Sequence, residues 1–239
     1  VIEQLQPQGY KCVAVTLPST TGDSSLGFKE DVVAARDAIK AETSQGRNVV
    51  VIVHSYGGLV GVSAAKGFTV KSHDDTPTSE EAIGHVIGFC LIATGFAVTG
   101  MCMLDATGGK PPPQWIIDEE KGTANIVVDP IDMMYHDLSD DDGKVWAEKL
   151  EPQSIKALST GGEYAYSAWQ DAPVWYLVTV NDHALPAAAQ QFFIKGAQDG
   201  GFDVTKKEIE TSHSPMLGRP SETAAFIREA AEDMVSKAA

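Results

Sequence analysis

Five consecutive β-branched residues, Val49 to Val53 in the stretch VVVIVHSYGGLVG, run straight into His54, Ser55 and Tyr56 and then into Gly57 and Gly58. An apolar run with no polar alternation has no face to offer water, so it predicts a strand buried on both faces, as in the centre of a parallel sheet. Two glycines directly after it remove the Cβ atoms that would clash where a following helix packs closely on that strand. Ser55 is thereby left at a tight turn, with its hydroxyl exposed at the strand's carboxyl end.

The rest of the chain alternates in the same way. Residues 11–17 (KCVAVTL) read as a strand closed by Pro18. Phe28, Val32, Ala35 and Ile39 fall at helical spacing, and Gly46 reads as the C-cap of that helix. A short helix is expected over residues 59–66. Further strands are expected at 86–93, 174–180 and, more weakly, 206–210. Ser221 can cap a closing helix in which Ala224, Ile227, Ala231 and Met234 share a face. Strands alternating with helices predict an α/β fold with a mainly parallel sheet and helices on both faces. Between residues 95 and 169 the alternation breaks into GGKPPP, the acidic run DLSDDDGK and scattered aromatics and methionines. That segment reads as a helical cap (lid) inserted into a core made of residues 1–94 and 170–239. The apolar stretch from His85 to Leu104 has the length of a membrane span, but its glycines, threonines and β-branched first half suit a buried strand and a loop.

Charge and cysteine content exclude several classes. A net charge of −15 repels nucleic acid and anionic membrane surfaces. Cys12, Cys90 and Cys102 form no metal-ligand spacing and cannot all pair, which fits a reducing compartment, the cytoplasm. The chain opens on Val1 and helix-like sequence, with no signal peptide to read. Neither cofactor nor metal is expected.

The turn around Ser55, V-H-S-Y-G, matches the nucleophile elbow G-x-S-x-G except that Val53 replaces the first glycine. A phosphate-cradling loop would need a Lys-Ser or Lys-Thr pair, and this loop has none. A serine nucleophile needs a base, and the base needs an orienting carboxylate. VWYLVTVNDHALP places Asp182 just past a strand, and ETSHSPML places His213 between the last weak strand and the closing helix. Asp171 precedes its strand, Asp199 and Asp203 belong to a polar turn, and the strand at 86–93 runs into Gly95 and Phe96 with no carboxylate, so Asp182 is the candidate acid. His54 reads as a packing residue and His183 as part of the mouth. His73, His85 and His136 read as solvated or hydrogen-bonded structural histidines.

VHSYGG, NDHALP and SHSPML, in this order, resemble the α/β-hydrolase superfamily. LDATGGKPPP and MMYHDL in the cap resemble its fungal and bacterial branch related to plant methylesterases and hydroxynitrile lyases. The resemblance spans essentially the whole chain and implies an α/β-hydrolase fold. Proteins of that kind usually begin with strands carrying a His-Gly loop that helps build the oxyanion hole. Here VIEQLQPQGYKCVAVTLPS resembles the helix and strand that come after that loop. The resemblance thus implies that the N-terminal strands are missing, that a sheet edge is exposed, and that the second oxyanion donor lies upstream of Val1.

The expected chemistry is hydrolysis of a small to medium hydrophobic carboxylic ester or lactone by Ser55, His213 and Asp182 through an acyl-enzyme. The Tyr56 backbone N–H would stabilise the oxyanion, and Trp115, Met133, Met134 and Tyr135 would contact substrate. The partner is then a small-molecule ester; a homodimer is compatible with the sequence but not read from it. Two alternatives stand beside this: a hydroxynitrile lyase, whose branch typically has a lysine after the catalytic histidine where this chain has Ser214, and a non-catalytic ligand-binding protein on the same scaffold.

Overall fold

The computed structural model describes residues 1–70 and 84–238; His73 lies outside them. Its strands, β1 (Val49–His54), β2 (Val86–Ile92), β3 (Trp115–Asp118), β4 (Thr123–Ile126), β5 (Gln153–Ser154), β6 (Val174–Thr179) and β7 (Val204–Ile209), divide into two sheets. The central sheet has the order β1-β2-β6-β7 with every pair parallel. All four strands therefore point their carboxyl ends at one edge, where the connecting loops gather the polar residues.

Helices α1 (Ile2–Leu5), α2 (Phe28–Thr43), α3 (Gly57–Ala64), α4 (Pro130–Met134), α5 (Asp140–Ala147), α6 (Ile155–Ser159), α7 (Ala187–Asp199), α8 (Pro215–Gly218) and α9 (Pro220–Ala238) complete the order. Alternation along the strands explains how they cover the sheet. Phe89 and Leu91 of β2 and Val174, Tyr176 and Val178 of β6 face α2, α3 and α7, whereas Cys90, Ile92, Trp175 and Leu177 face α1 and α9. Burial on both faces is why β2 and β6 contain almost no polar residue. The stretch from His85 to Leu104 resolves into β2 and a loop, and among the described residues no helix is long and apolar enough to cross a membrane.

Five expectations need correction. Residues 11–17 join no sheet, and Val13 and Val15 are exposed, because no described strand lies beside them to accept a ladder of hydrogen bonds. For the same reason β1 is an edge strand rather than a central one: Val51 and Val53 are buried but Ile52 is 44% exposed. α2 ends at Thr43, and Gly46 closes the turn beyond it in the left-handed region (φ 74°) instead of capping the helix directly. α9 starts at Pro220, so Ser221 lies inside its first turn. The inserted segment is also not purely helical. It contains the antiparallel sheet β3-β4-β5, with Trp115 opposite Ile126 and Asp118 opposite Thr123, packed on a small cluster of Leu104, Ala124 and Leu158. The β3–β4 hairpin leaves little trace in the sequence because its strands are four residues each, with only Gly122 as a turn signal (φ 67°).

Candidate active site

Ser55 comes directly after β1 and is held at φ 49°, in the left-handed region that a non-glycine residue occupies at a cost of about 1–3 kcal/mol. Its backbone is fixed from three sides. Ser55 N–H donates to Ile92 O (3.2 Å), while Ser55 O accepts from Gly58 N–H (2.9 Å) and from the Thr94 hydroxyl (2.6 Å). Thr94 is itself delivered by a second strained residue, Ala93 (φ 46°), at the end of β2, and its peptide bonds to the buried Tyr176 hydroxyl. Two left-handed non-glycine residues on adjacent strand ends mark this edge of the sheet as the place where backbone strain is concentrated.

The glycines divide their work differently from the sequence expectation. A Cβ on Gly57 would meet nothing, so Gly57 is not what lets the helix approach. A Cβ on Gly58 would collide with the Thr94 side chain, and one on Gly61 with Val53 Cγ1. Gly58 thus admits the threonine that locks Ser55, and Gly61 makes the room for Val53. The missing first glycine of the motif is compensated one helical turn later.

Asp182 and His213 meet at the far side of the same edge. Asp182 leaves β6 and His213 leaves β7, and His213 Nδ1–H donates to Asp182 Oδ2 at 2.7 Å, with both side chains essentially buried. The remaining acceptor capacity of Asp182 is filled by Ala184 N–H, Leu185 N–H, the Thr179 hydroxyl and the fully buried Gln190 amide. Burial alone would raise the pKa of this carboxyl. The bond and charge of His213, with Leu185 N–H and Thr179, outweigh it and leave Asp182 below the usual carboxylate range. Asp182 is therefore an anion that holds Nδ1 protonated, leaving His213 Nε2 as the basic nitrogen.

Among the described residues no hydrogen bond joins Ser55 to His213; the direct link between the two halves runs through His54. Its Nε2 lies 2.7 Å from the His213 carbonyl oxygen, which can only accept, so His54 carries its proton there, and the two rings stand 4.6 Å apart. Burial, and then the proximity of His213, push the His54 pKa down to about 3, so this imidazole stays neutral. The sequence reading of His54 as simple packing is thus too weak: it fixes the backbone of His213. Asp137, just after α4, fixes the same loop, accepting from the Thr211 hydroxyl and from Ser212 N–H.

The other expected residues lie around this edge. Tyr56 N–H meets no acceptor among the described residues, and its ring packs against both the sheet core and the cap cluster. Trp115 packs on the same cluster of Leu104, Ala124 and Leu158. Met133 and Tyr135 are buried, and Met134 O accepts from the Ser212 hydroxyl, which ties this segment to the turn before His213. His183 and His136 stack at 4.2 Å where the end of α4 meets the Asp182 loop, with His136 Nε2 on Asn181 O and His183 Nδ1 on Asp132 O.

A parallel sheet with a strained serine turn, an aspartate and a histidine gathered at its carboxyl edge defines the architecture of an α/β hydrolase. The chain belongs to the alpha/beta hydrolase family, whose sequence model matches residues 2–226. It is 28% identical over 240 residues to the alpha/beta hydrolase nvfD of Aspergillus novofumigatus, covering 98% of this chain and 91% of that one. Among solved structures, a pyrethroid hydrolase from Sphingobium faniae is similar at a TM-score of 0.69 and 16% identity, covering 97% of this chain and 90% of that one. Polyneuridine aldehyde esterase is similar at 0.70 and 17%, covering 95% and 91%. At these identities the solved structures speak for the fold.

Proposed function

We propose that the protein is a serine hydrolase that cleaves a small to medium hydrophobic carboxylic ester or lactone, with Ser55 as nucleophile, His213 as base and Asp182 as the orienting acid. The observation that carries this reading is the buried 2.7 Å bond between Asp182 Oδ2 and His213 Nδ1, set at the same sheet edge as the strained Ser55 turn. Ser55 Oγ attacks the ester carbonyl while its proton passes to His213 Nε2. Asp182 stabilises the imidazolium, and the oxyanion is received by Tyr56 N–H, a type of contact worth about 2.7–4 kcal/mol in the transition state. His213 returns the proton to the departing alkoxide, leaving an acyl group on Ser55. Water, deprotonated by His213, then releases the acid.

Trp115, Met133, Met134 and Tyr135 supply the apolar side of the site, which suits a hydrophobic substrate. Three free cysteines, two of them buried, suit a reducing cytoplasm. The test uses short-chain aryl esters and a serine-directed fluorophosphonate on the wild type and Ser55→Ala. Hydrolysis and labelling that both vanish in the variant are expected; hydrolysis at an equal rate in the variant would remove Ser55 from the chemistry.

A further inference from the structure

Asp31 is a carboxylate with no exposure to solvent, and no ion pair reaches it among the described residues. It lies in the first turn of α2, three residues after Phe28, on the stripe that packs against the sheet. Its charge is met by dipoles alone. Asp31 Oδ1 accepts from Ser19 N–H (2.8 Å), and Asp31 Oδ2 accepts from the Ser19 hydroxyl (2.6 Å) and from the Tyr56 hydroxyl (2.7 Å). The start of a helix favours an anion there.

An apolar side chain of similar volume would fill this space without the cost of taking a charge out of water. What the carboxylate adds is a fixed acceptor for Tyr56. Tyr56 comes straight after the strained Ser55, and its peptide N–H, which meets no acceptor among the described residues, is the oxyanion donor of the proposed reaction, so both ends of this residue matter. The hydroxyl held on Asp31 and the ring packed against two clusters restrain the residue that follows the left-handed Ser55. The network reaches the cap as well, because Gln153 of β5 donates to the Ser19 hydroxyl at 3.4 Å.

We propose that Asp31 is a positioning residue for hydrolysis: acting through the Tyr56 hydroxyl, it holds the Tyr56 N–H where the oxyanion forms. This rests on the serine hydrolase reading above. It predicts an effect on the transition state and little on substrate binding.

The experiment compares the wild type, Tyr56→Phe, Asp31→Asn and the double variant. Kinetics on an aryl ester are measured together with inhibition by an aryl trifluoromethyl ketone, whose carbonyl adds Ser55 Oγ to form a hemiketal oxyanion. Each single variant is expected to lower kcat about tenfold or more with KM nearly unchanged, a part of what losing an oxyanion donor costs. The ketone should weaken by the same factor, and the double variant should be no worse than the worse single one. Tyr56→Phe is isosteric and keeps the assay decisive where Asp31→Asn fails to fold. A folded Tyr56→Phe with wild-type kcat and ketone affinity overturns the proposal while leaving the hydrolase reading intact. A wild type that neither turns over esters nor labels at Ser55 overturns both.

Discussion

Val53 and Gly61 form a pair whose exchange can be measured. Val53 sits where nucleophile elbows usually carry glycine, and a Cβ on Gly61 would overlap its Cγ1 and press on Val51 Cγ1 at 3.3 Å. Gly61→Ala alone overpacks this contact, at about 1–3 kcal/mol, against a gain of about 1 kcal/mol in helix propensity. Val53→Ala alone removes two methyl groups from a buried site, about 1.6 kcal/mol of transfer energy with a cavity contribution added. In the double variant the new methyl on residue 61 enters the space vacated by Val53. Its destabilisation is therefore expected to fall short of the sum of the singles by about 1–2 kcal/mol. Urea unfolding of the four proteins, monitored by circular dichroism, measures that coupling. Ester hydrolysis gives an independent reading, since α3 begins two residues after Ser55: Gly61→Ala should lose activity and the double variant should regain part of it. Additive free energies, agreeing within about 0.5 kcal/mol, would refute the claim that Gly61 exists to admit Val53.

The site carries two more expected outcomes. Asp182→Asn keeps the shape but lets His213 hold its proton on the wrong nitrogen, so kcat should fall by about three to four orders of magnitude with the fold retained; steady-state kinetics beside a melting curve check this, and a loss under tenfold would contradict the assigned role. His54 titrates at its ordinary 6.5 in the unfolded chain and near 3 when folded. Below about pH 6.5 the unfolded state binds the additional proton, and stability falls toward pH 3 by up to about 1.4 kcal/mol per pH unit. Denaturation of wild type and His54→Gln between pH 7 and pH 5 should show the wild type losing stability more steeply, and parallel slopes would sink the assignment.

The parts legible in the sequence are those fixed by local chemistry. β2 and β6 could be read because uniform burial writes itself as an uninterrupted apolar run, and the Ser55 turn because a strand meeting glycines has few ways to continue. Asp182 and His213 stand out by their place after strands, a rule about chain direction, and the fold brings them within 2.7 Å of each other. The misreadings arose where the outcome depends on a neighbour. Residues 11–17 have strand-like residues but no strand beside them, and Val49–Val53 has the composition of a central strand yet lies at an edge, so propensity without a partner did not make sheet.

The residues that sequence reasoning passed over share one trait. Asp31 stands on the apolar stripe of α2, Gln190 is fully buried in α7, His54 ends the apolar run of β1, and Thr94 comes after the apolar run of β2. Each is a polar group placed where the local pattern calls for an apolar one, and each must find a hydrogen-bond partner or destabilise the fold. Three of the partners come from far along the chain, Tyr56 for Asp31, the His213 carbonyl for His54 and the Ser55 carbonyl for Thr94, while Gln190 reaches Asp182 across the β6–α7 connection. The identity of a partner is a tertiary fact and could not be read locally. The need for one could, and each of these four has at least one bond to Ser55, His213, Asp182 or the residue beside Ser55. At these four positions the polar residue that interrupts an apolar pattern leads to the candidate site, whereas Ser63 of α3, also buried, accepts its bond from the Tyr166 peptide N–H instead.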